Sequence, residues 1–119
     1  MKCLSVLQFQ RIARGGAIAA VVAGACFQAQ AADEAQLKLG KDLFSKGSVP
    51  ACAVCHTLRD AGAEGAIGPS LDEVKPVASR VATALRNGIG QMPSYAGRLD
   101  DKQIAALSAY VAKVTGAAK

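Results

Sequence analysis

The sequence has few of the large side chains that usually build a protein core. It contains no tryptophan, and aromatic residues make up only 4% of its 119 positions. Aromatic side chains normally supply much of the apolar area that a small domain buries on folding. A chain of this length holds one small domain, whose stability would be marginal with so thin a core. The composition therefore predicts that a bound apolar group fills the centre of the domain.

A strong excess of charge is also missing once the N-terminal segment is set aside. The whole chain has a formal net charge of +5, but from Ala32 onward 11 Lys and Arg residues face 9 Asp and Glu residues. No run of basic residues occurs in this part of the chain. Nucleic-acid-binding proteins concentrate positive charge on one face or along one helix. The sequence therefore argues against a nucleic-acid partner.

The first 31 residues have the pattern of a secretory signal peptide. Three basic residues come first: Lys2, Arg11 and Arg14. An apolar stretch follows at positions 15–27, and Ala29-Gln30-Ala31 supplies the small-x-small pattern of a cleavage site. The stretch is too short to span a bilayer comfortably, which argues against a permanent membrane anchor. We expect a signal peptide over residues 1–31 and one exported, periplasmic domain over residues 32–119, with no stable membrane span after processing.

Removal of that segment leaves two cysteines, which lie directly before the only histidine of the chain in Cys52-Ala53-Val54-Cys55-His56. This is the spacing of a c-type haem attachment site. One helical turn presents both sulfurs to the two vinyl positions along one edge of a porphyrin, where thioether bonds form. The histidine then projects over the ring and binds the iron. The motif predicts one haem c, covalently bound through Cys52 and Cys55, with His56 as an iron ligand.

Two other chemistries use a pair of cysteines at this spacing. A redox dithiol of the thioredoxin type needs a βαβ context, and the sequence shows no strand pattern. A zinc site needs two further ligands. Cys3 and Cys26 leave with the signal peptide, so the processed chain has no other Cys or His to supply them. Both alternatives fit the sequence less well than haem.

Met92 is the only methionine left after processing, and it lies in a segment whose Gly and Pro residues predict a loop. A lone methionine is usually a filler of the core. The loop setting, the following Pro93 and the lack of a second histidine instead favour a thioether ligand to iron. His/Met ligation raises the reduction potential and leaves the iron no open position. The sequence therefore predicts electron transfer; an enzyme with a displaceable Met92 is the alternative.

Apolar periodicity predicts helices over residues 33–46, over residues 77–87 and after Asp100. Gly47 and Gly88 are expected to end the first two helices. Asp100 and Gln103 have the spacing of a capping box at the start of the last helix. We find no pattern typical of a strand.

Pro69 is a candidate for orienting the histidine. It lies in Gly68-Pro69-Ser70-Leu71, soon after His56. A metal-binding histidine usually donates its outer N–H group to an acceptor, which fixes the tautomer and the ring orientation. The backbone carbonyl of Pro69 could serve as that acceptor.

In this order, the motifs resemble those of the class I cytochrome c family. The resemblance rests on the haem attachment motif, the segment around Pro69, Met92-Pro93 and the last amphipathic helix. It implies an all-α fold in which three to five helices surround one haem. It also implies Cys52 and Cys55 as thioether sites, with His56 and Met92 as axial ligands.

The same resemblance implies further contacts. The two terminal helices should cross at Gly40, with Phe44 and Tyr110 beside the crossing and Tyr110 packed near the haem. Pro69 should be the carbonyl partner of His56. Some family members place a tryptophan near a haem propionate, which this chain lacks, so the propionate partners stay open among three candidates: Arg80, Arg86 and Arg98.

The stretch from His56 to Asp72 is similar to the cytochrome subunit of bacterial periplasmic sulfite dehydrogenases. In those enzymes a molybdenum subunit oxidises sulfite and passes electrons to the haem subunit. The resemblance implies a molybdenum-containing, sulfite-oxidising partner. The alternative is a freely diffusing carrier that passes electrons to an acceptor cytochrome or a terminal oxidase. Nothing in this chain has the chemistry to bind sulfite or molybdopterin itself.

Overall fold

The computed structural model describes residues 33–117, so the predicted signal peptide lies outside the described residues. Helix α1 covers residues 33–42, and a π-helical turn, Leu43–Gly47, continues it. The remaining helices are α2 (Cys52–Cys55), α3 (Leu71–Val74), α4 (Ala78–Asn87) and α5 (Asp101–Val114). The predicted all-α class is confirmed. Over the described range, no helix has the length and apolar character needed to cross a membrane.

One small hairpin was not expected from the sequence. Strand β1 (Thr57–Leu58) pairs in antiparallel fashion with strand β2 (Ala63–Glu64), and the short 3-10 turn Arg59–Ala61 joins them. Each strand has only two residues, which is too short to produce a visible alternation of apolar and polar side chains. The expectation of no strands is therefore wrong for this segment, although the fold remains helical.

The first helix ends one residue later than expected, because a serine closes it. Gly47 is the last residue of the π-helical turn, and Ser48 is the capping residue in an extended conformation. The hydroxyl of buried Ser48 donates to the carbonyl of Leu43 at 3.0 Å, which satisfies an acceptor that the end of a helix leaves open. The expectation that Gly47 caps this helix is therefore wrong.

The start of α5 follows the sequence expectation. The carboxylate of Asp100 accepts from the backbone N–H of Gln103 at 2.7 Å, and the side chain of Gln103 accepts from the backbone N–H of Asp100 at 2.9 Å. Buried Leu99 and Ile104 flank this pair. The capping box is confirmed, and it fixes where the last helix begins.

The terminal helices α1 and α5 meet at Gly40. A Cβ atom on Gly40 would collide with the carbonyl oxygen of Ala106 and would lie 2.5 Å from Cβ of Tyr110. Beside the crossing, the rings of Phe44 and Tyr110 pack edge to face with centroids 6.3 Å apart. The missing side chain of Gly40 therefore allows the close approach of the two backbones.

Helix α4 packs along α5 through fully buried side chains: Leu85, Leu107 and Val111. From the same face of α4, Val81, Ala84 and Leu85 line a large cavity. The contact between α4 and α5 thus belongs both to the packed core and to the wall of the cavity.

Candidate functional site

A wide apolar cavity of about 870 Å³ opens on one side of the domain. Its walls come from α2, the loop at residues 67–69, α3, α4, the loop around Met92 and one face of α5. Pockets for small molecules and cofactors commonly have volumes of about 300–1,000 Å³ and mostly apolar walls. The cavity is therefore large enough for a group far bigger than a few water molecules.

Helix α2 presents both cysteines of the attachment motif to this cavity. Cys52 is buried, Cys55 is half-buried, and no disulfide joins the two thiols. Burial raises the pKa of Cys52, and the hydroxyl of Ser48, 3.6 Å from its sulfur, acts in the opposite direction. The two sulfurs are thus available on one helical turn, at the edge of an apolar space.

His56 follows α2 and also lines the cavity. Its Nδ1 atom lies 2.9 Å from the carbonyl oxygen of Pro69. A carbonyl oxygen only accepts, so Nδ1 carries the proton, and Nε2 keeps a free lone pair for a metal. The residue before Pro69 is Gly68, on which a Cβ atom would lie 2.5 Å from Cε1 of the imidazole. Gly68 therefore allows the loop to rest directly against the ring.

The hairpin after His56 ties this loop to α2. The hydroxyl of Thr57 donates to the carbonyl of Gly65 at 2.9 Å. A Cβ atom on Gly65 would lie 2.6 Å from the carbonyl oxygen of Val54, so the returning strand passes close over α2. The backbone N–H of Gly68 then donates to the carbonyl of Cys55 at 2.7 Å. These contacts hold the segment from Cys52 to Pro69 together as one local unit.

Met92 reaches the cavity from a tight turn after α4. Its backbone exchanges two hydrogen bonds with Ile89, at 3.0 and 3.1 Å. Gly88 has a φ of +71°, and a Cβ atom there would lie 2.7 Å from the carbonyl oxygen of Met92. Gly90 also has a positive φ, of +56°, which suits the turn between Ile89 and Met92. The glycines therefore shape the turn that brings the Met92 side chain to the cavity.

The structure brings five of the six predicted site residues to this cavity: Cys52, Cys55, His56, Pro69 and Met92. Tyr110 is the exception, because it is not among the residues that line the cavity. From α5, Leu107 and Val111 face the cavity, whereas Tyr110 lies at the crossing with α1.

The hydroxyl of Tyr110 points to the hairpin instead. It donates to a carboxylate oxygen of Asp60 at 2.6 Å, and Lys41 forms an ion pair with the same carboxylate at 3.1 Å. Burial, together with the hydrogen bond to Asp60, raises the pKa of Tyr110 well above its usual value. The hydrogen bonds from Tyr110 and Lys41 lower the pKa of Asp60. The hydroxyl of Tyr110 thus ties α5 to the hairpin, and its expected packing near the haem stays a prediction.

Tyr95 is a cavity residue that the sequence reasoning missed. It is 3% exposed, lines the cavity, and donates its hydroxyl to the carbonyl of Pro50 at 2.8 Å. Burial raises the pKa of this tyrosine as well. Its only sequence signal was an aromatic residue three positions after Met92 in a loop with several Gly residues and a Pro.

The three arginine candidates have different surroundings. Arg80 lines the cavity and is exposed. Arg86 forms an ion pair with Asp101 at 2.9 Å. Arg98 donates to the carbonyl of Val49 at 3.1 Å. Of the three, only Arg80 is positioned to contact a charged group at the cavity wall.

The donor set suits haem c better than the other two chemistries. Two thiols, an imidazole with a defined tautomer and a thioether converge on a single apolar cavity. Among residues 33–117, no cluster of three or more His, Cys, Asp or Glu side chains could hold an ion, so a zinc site lacks ligands. The two-residue strands of that same range do not make the βαβ unit of a thioredoxin-like dithiol protein.

Comparisons with known proteins give a consistent result. The family described as cytochrome C oxidase, cbb3-type, subunit III, matches residues 35–111, a range that contains every residue lining the cavity. The chain is 34% identical over 88 residues to cytochrome c6 of Tetradesmus obliquus, covering 65% of this chain and 89% of that protein. It is 33% identical over 89 residues to cytochrome c6 of Chlorolobion braunii, covering 66% and 90%.

A solved structure also resembles this one. The c-type cytochrome SorU from Sinorhizobium meliloti superposes with a TM-score of 0.67 at 52% sequence identity, covering 72% of this chain and 98% of SorU. Nearly all of that protein is therefore matched by the domain that contains the cavity.

Proposed function

Because the chain belongs to the class I cytochrome c family and is a c-type haem electron carrier, we propose that four side chains of the cavity hold its single haem c: Cys52, Cys55, His56 and Met92. The observation that carries this assignment is their convergence on one apolar cavity, with the Nδ1 proton of His56 committed to Pro69. Cys52 and Cys55 would form the thioether bonds, and His56 and Met92 would be the two protein ligands of the iron.

Each residue then has a distinct part in the function. When bound, haem c supplies the one-electron ferric–ferrous couple. The Pro69 carbonyl holds the proton on Nδ1, which keeps Nε2 of His56 as the donor atom and increases its basicity. The thioether of Met92 favours the ferrous state and raises the reduction potential. Leu107 and Val111 contribute apolar walls, which would limit contact between a bound haem and water.

We propose electron transfer without catalysis at the haem, because protein side chains occupy both axial positions. A haem enzyme with a displaceable Met92 is the competing function. Carbon monoxide separates the two, since it binds ferrous haem only where a position is open. Rapid binding of carbon monoxide by the reduced protein would favour the enzyme.

The test of the ligand set starts from the processed holoprotein. Its pyridine haemochrome spectrum should show one haem c, and its ferric and ferrous spectra should be low-spin and six-coordinate. Met92→His should retain the haem and lower the potential by on the order of 0.1 V or more, because a second imidazole stabilises the ferric state. Met92→Leu, which keeps the apolar packing, should bind carbon monoxide. An unchanged potential in Met92→His would rule out Met92 as a ligand.

The location that we propose is the periplasm. The N-terminal pattern predicts export with cleavage after Ala31, and haem attachment of this kind takes place outside the cytoplasm. The mass of the purified protein should correspond to a chain beginning at Ala32 plus one haem. A retained N-terminal segment would contradict cleavage at that site.

As the electron donor we propose a molybdenum-containing, sulfite-oxidising subunit. One feature supports this partner: the similarity of the stretch from His56 to Asp72 to the cytochrome subunits of sulfite dehydrogenases. Sulfite should reduce the haem rapidly only when such a subunit is present. The rate of haem reduction by sulfite with that subunit is compared with the rate given by an unrelated electron donor that does not use sulfite. If the first rate is no faster, a general carrier that serves an acceptor cytochrome or terminal oxidase is the better assignment.

A further inference from the structure

The segment just before the attachment motif is bound by side chains from a distant part of the chain. The hydroxyl of Tyr95 donates to the carbonyl of Pro50 at 2.8 Å, across 45 residues of sequence. The guanidinium of Arg98 donates to the carbonyl of Val49 at 3.1 Å, across 49 residues. We call these two side-chain bonds the clasp. It joins the loop that follows Met92 to the residues that lead into Cys52.

The loop side of the clasp is itself firmly held. The backbone N–H of Tyr95 donates to the carbonyl of Leu85 in α4 at 2.7 Å. The carbonyl of Tyr95 accepts from the backbone N–H groups of Arg98 and Leu99, at 2.9 and 3.0 Å. Tyr95 is therefore fixed through both of its backbone groups, and its buried ring extends along the cavity wall to Pro50.

Only two residues separate the clasp from Met92. Pro93 has a restricted φ, and the hydroxyl of Ser94 donates to the carbonyl of Arg86 at 2.6 Å. A displacement of Met92 away from the cavity would therefore pull on Tyr95 through a short, constrained connection. Since the hydroxyl of Tyr95 ends on the attachment segment, the clasp resists that displacement.

We propose that Tyr95 and Arg98 are positioning residues, which control how readily the Met92 thioether leaves the iron. This inference rests on the proposed His/Met ligation. In the closed state, the clasp holds the Met92 turn against the segment before Cys52. In the open state, in which an outside ligand has replaced Met92, the two hydrogen bonds are broken. A variant that lacks these hydrogen bonds should lose Met92 from the iron more easily, although His56 and Met92 themselves are unchanged.

The experiment measures the binding of imidazole to the ferric holoprotein, because imidazole must displace Met92 to bind. Tyr95→Phe keeps the buried ring and removes the hydroxyl. A net hydrogen bond of about 1 kcal/mol corresponds to roughly fivefold tighter imidazole binding. Arg98→Ala should give a smaller increase, about twofold, because its hydrogen bond is exposed. Arg98→Lys should recover part of the wild-type affinity through its remaining donor.

Matched controls remove the same kind of contact elsewhere. Tyr110→Phe deletes a tyrosine hydroxyl bonded to Asp60, and Arg86→Ala deletes an exposed arginine paired with Asp101. Both can lower the melting temperature, but both should bind imidazole as the wild type does. A separation of melting temperature from imidazole affinity would show that the clasp acts on Met92 and not on general stability.

The outcomes for the clasp and for the ligand set are distinct. The absorption band for charge transfer from a thioether to ferric iron reports Met92 in place before imidazole is added. If the wild type lacks this band, the proposed ligation fails and the clasp fails with it. If the band is present and Tyr95→Phe binds imidazole as the wild type does, only the clasp is overturned. An equal increase in Tyr110→Phe would overturn it too.

Discussion

Gly68 faces the His56 ring with a hydrogen atom where any other residue would place a carbon. A Cβ atom there would lie 2.5 Å from Cε1 and 2.7 Å from Nδ1 of the imidazole. Either the ring or the loop would have to move, and the loop carries the Pro69 carbonyl that accepts from Nδ1. One missing methyl group therefore supports the hydrogen bond that defines the tautomer of His56.

Gly68→Ala should raise the reduction potential of the holoprotein. The added methyl group lengthens the hydrogen bond from His56 Nδ1 to the Pro69 carbonyl. The imidazole then donates less electron density to the iron, so the ferric state is less stabilised. Loss of about 1 kcal/mol in the ferric state corresponds to roughly 40 mV for one electron, which we take as the upper limit. A spectroelectrochemical titration measures the change.

Gly62→Ala is the matched control for this substitution. Gly62 has a φ of +61°, so alanine there introduces local strain, but no atom lies within 4 Å of its added Cβ. The reduction potential of Gly62→Ala should equal that of the wild type. An unchanged potential in Gly68→Ala, or an equal rise in Gly62→Ala, would contradict the role assigned to Gly68.

At the scale of helices, helix propensity and packing act in opposite directions at Gly40, where α1 and α5 cross. Alanine is favoured over glycine in a helix interior by about 1 kcal/mol. At this position, however, a Cβ atom would meet backbone and Cβ atoms of α5, which cannot rotate away as a side-chain tip can. Overpacking of this kind costs about 1–3 kcal/mol or more. Packing should therefore outweigh propensity.

Gly40→Ala should lower the free energy of unfolding of the holoprotein by roughly 2 kcal/mol. Denaturant titration followed by circular dichroism measures it. Gly47→Ala serves as the control, because the nearest atoms to its added Cβ are the flexible tip of Leu43 at 3.1 Å and the carbonyl oxygen of Asp42 at 3.2 Å, which a small shift can accommodate. Its unfolding free energy should change much less. Equal losses in the two variants would show that the crossing has no special requirement for glycine.

Elements specified by neighbouring residues were predictable from the residues alone, whereas contacts between distant segments were predicted only where the family resemblance supplied them, as at the Gly40 crossing. Both partners of the capping box of α5 lie within four residues, so the sequence alone located the start of that helix. Tyr95 was missed because its partner, Pro50, lies 45 residues away. Apolar periodicity identified α5, whereas the family resemblance placed Tyr110 near the haem, and Tyr110 is not among the residues of that helix that line the cavity.

At the scale of the whole molecule, we expect the large apolar cavity to govern the stability of the domain. The cavity of about 870 Å³ is largely apolar and opens to solvent. Without haem, water would enter it and hydrate its apolar walls, so the free energy of their burial would be lost. The total stability of a domain is only about 5–15 kcal/mol, so such a loss is large in proportion. We therefore expect the chain to need haem c to complete its core.

Replacement of Cys52 and Cys55 by alanine should yield a colourless, unfolded chain. Without the thioether bonds, the group that fills the cavity is not retained, and binding free energy that contributes to folding is lost. Far-ultraviolet circular dichroism and a thermal scan of the processed chain test this. Val54→Ala, at an exposed position between the two cysteines, should fold and carry haem normally. A cooperative thermal transition in the double variant would contradict the dependence on haem.

Because the unit from Cys52 to Pro69 is compact, we expect the two sides of the haem site to form at different times during assembly. The imidazole and its carbonyl partner are only 13 residues apart, so a nascent chain can arrange this face through short-range closure. The methionine face must wait until segments more than 40 residues apart have met. Haem binding should thus begin on the side of His56, and coordination by the Met92 sulfur should be the last step of maturation.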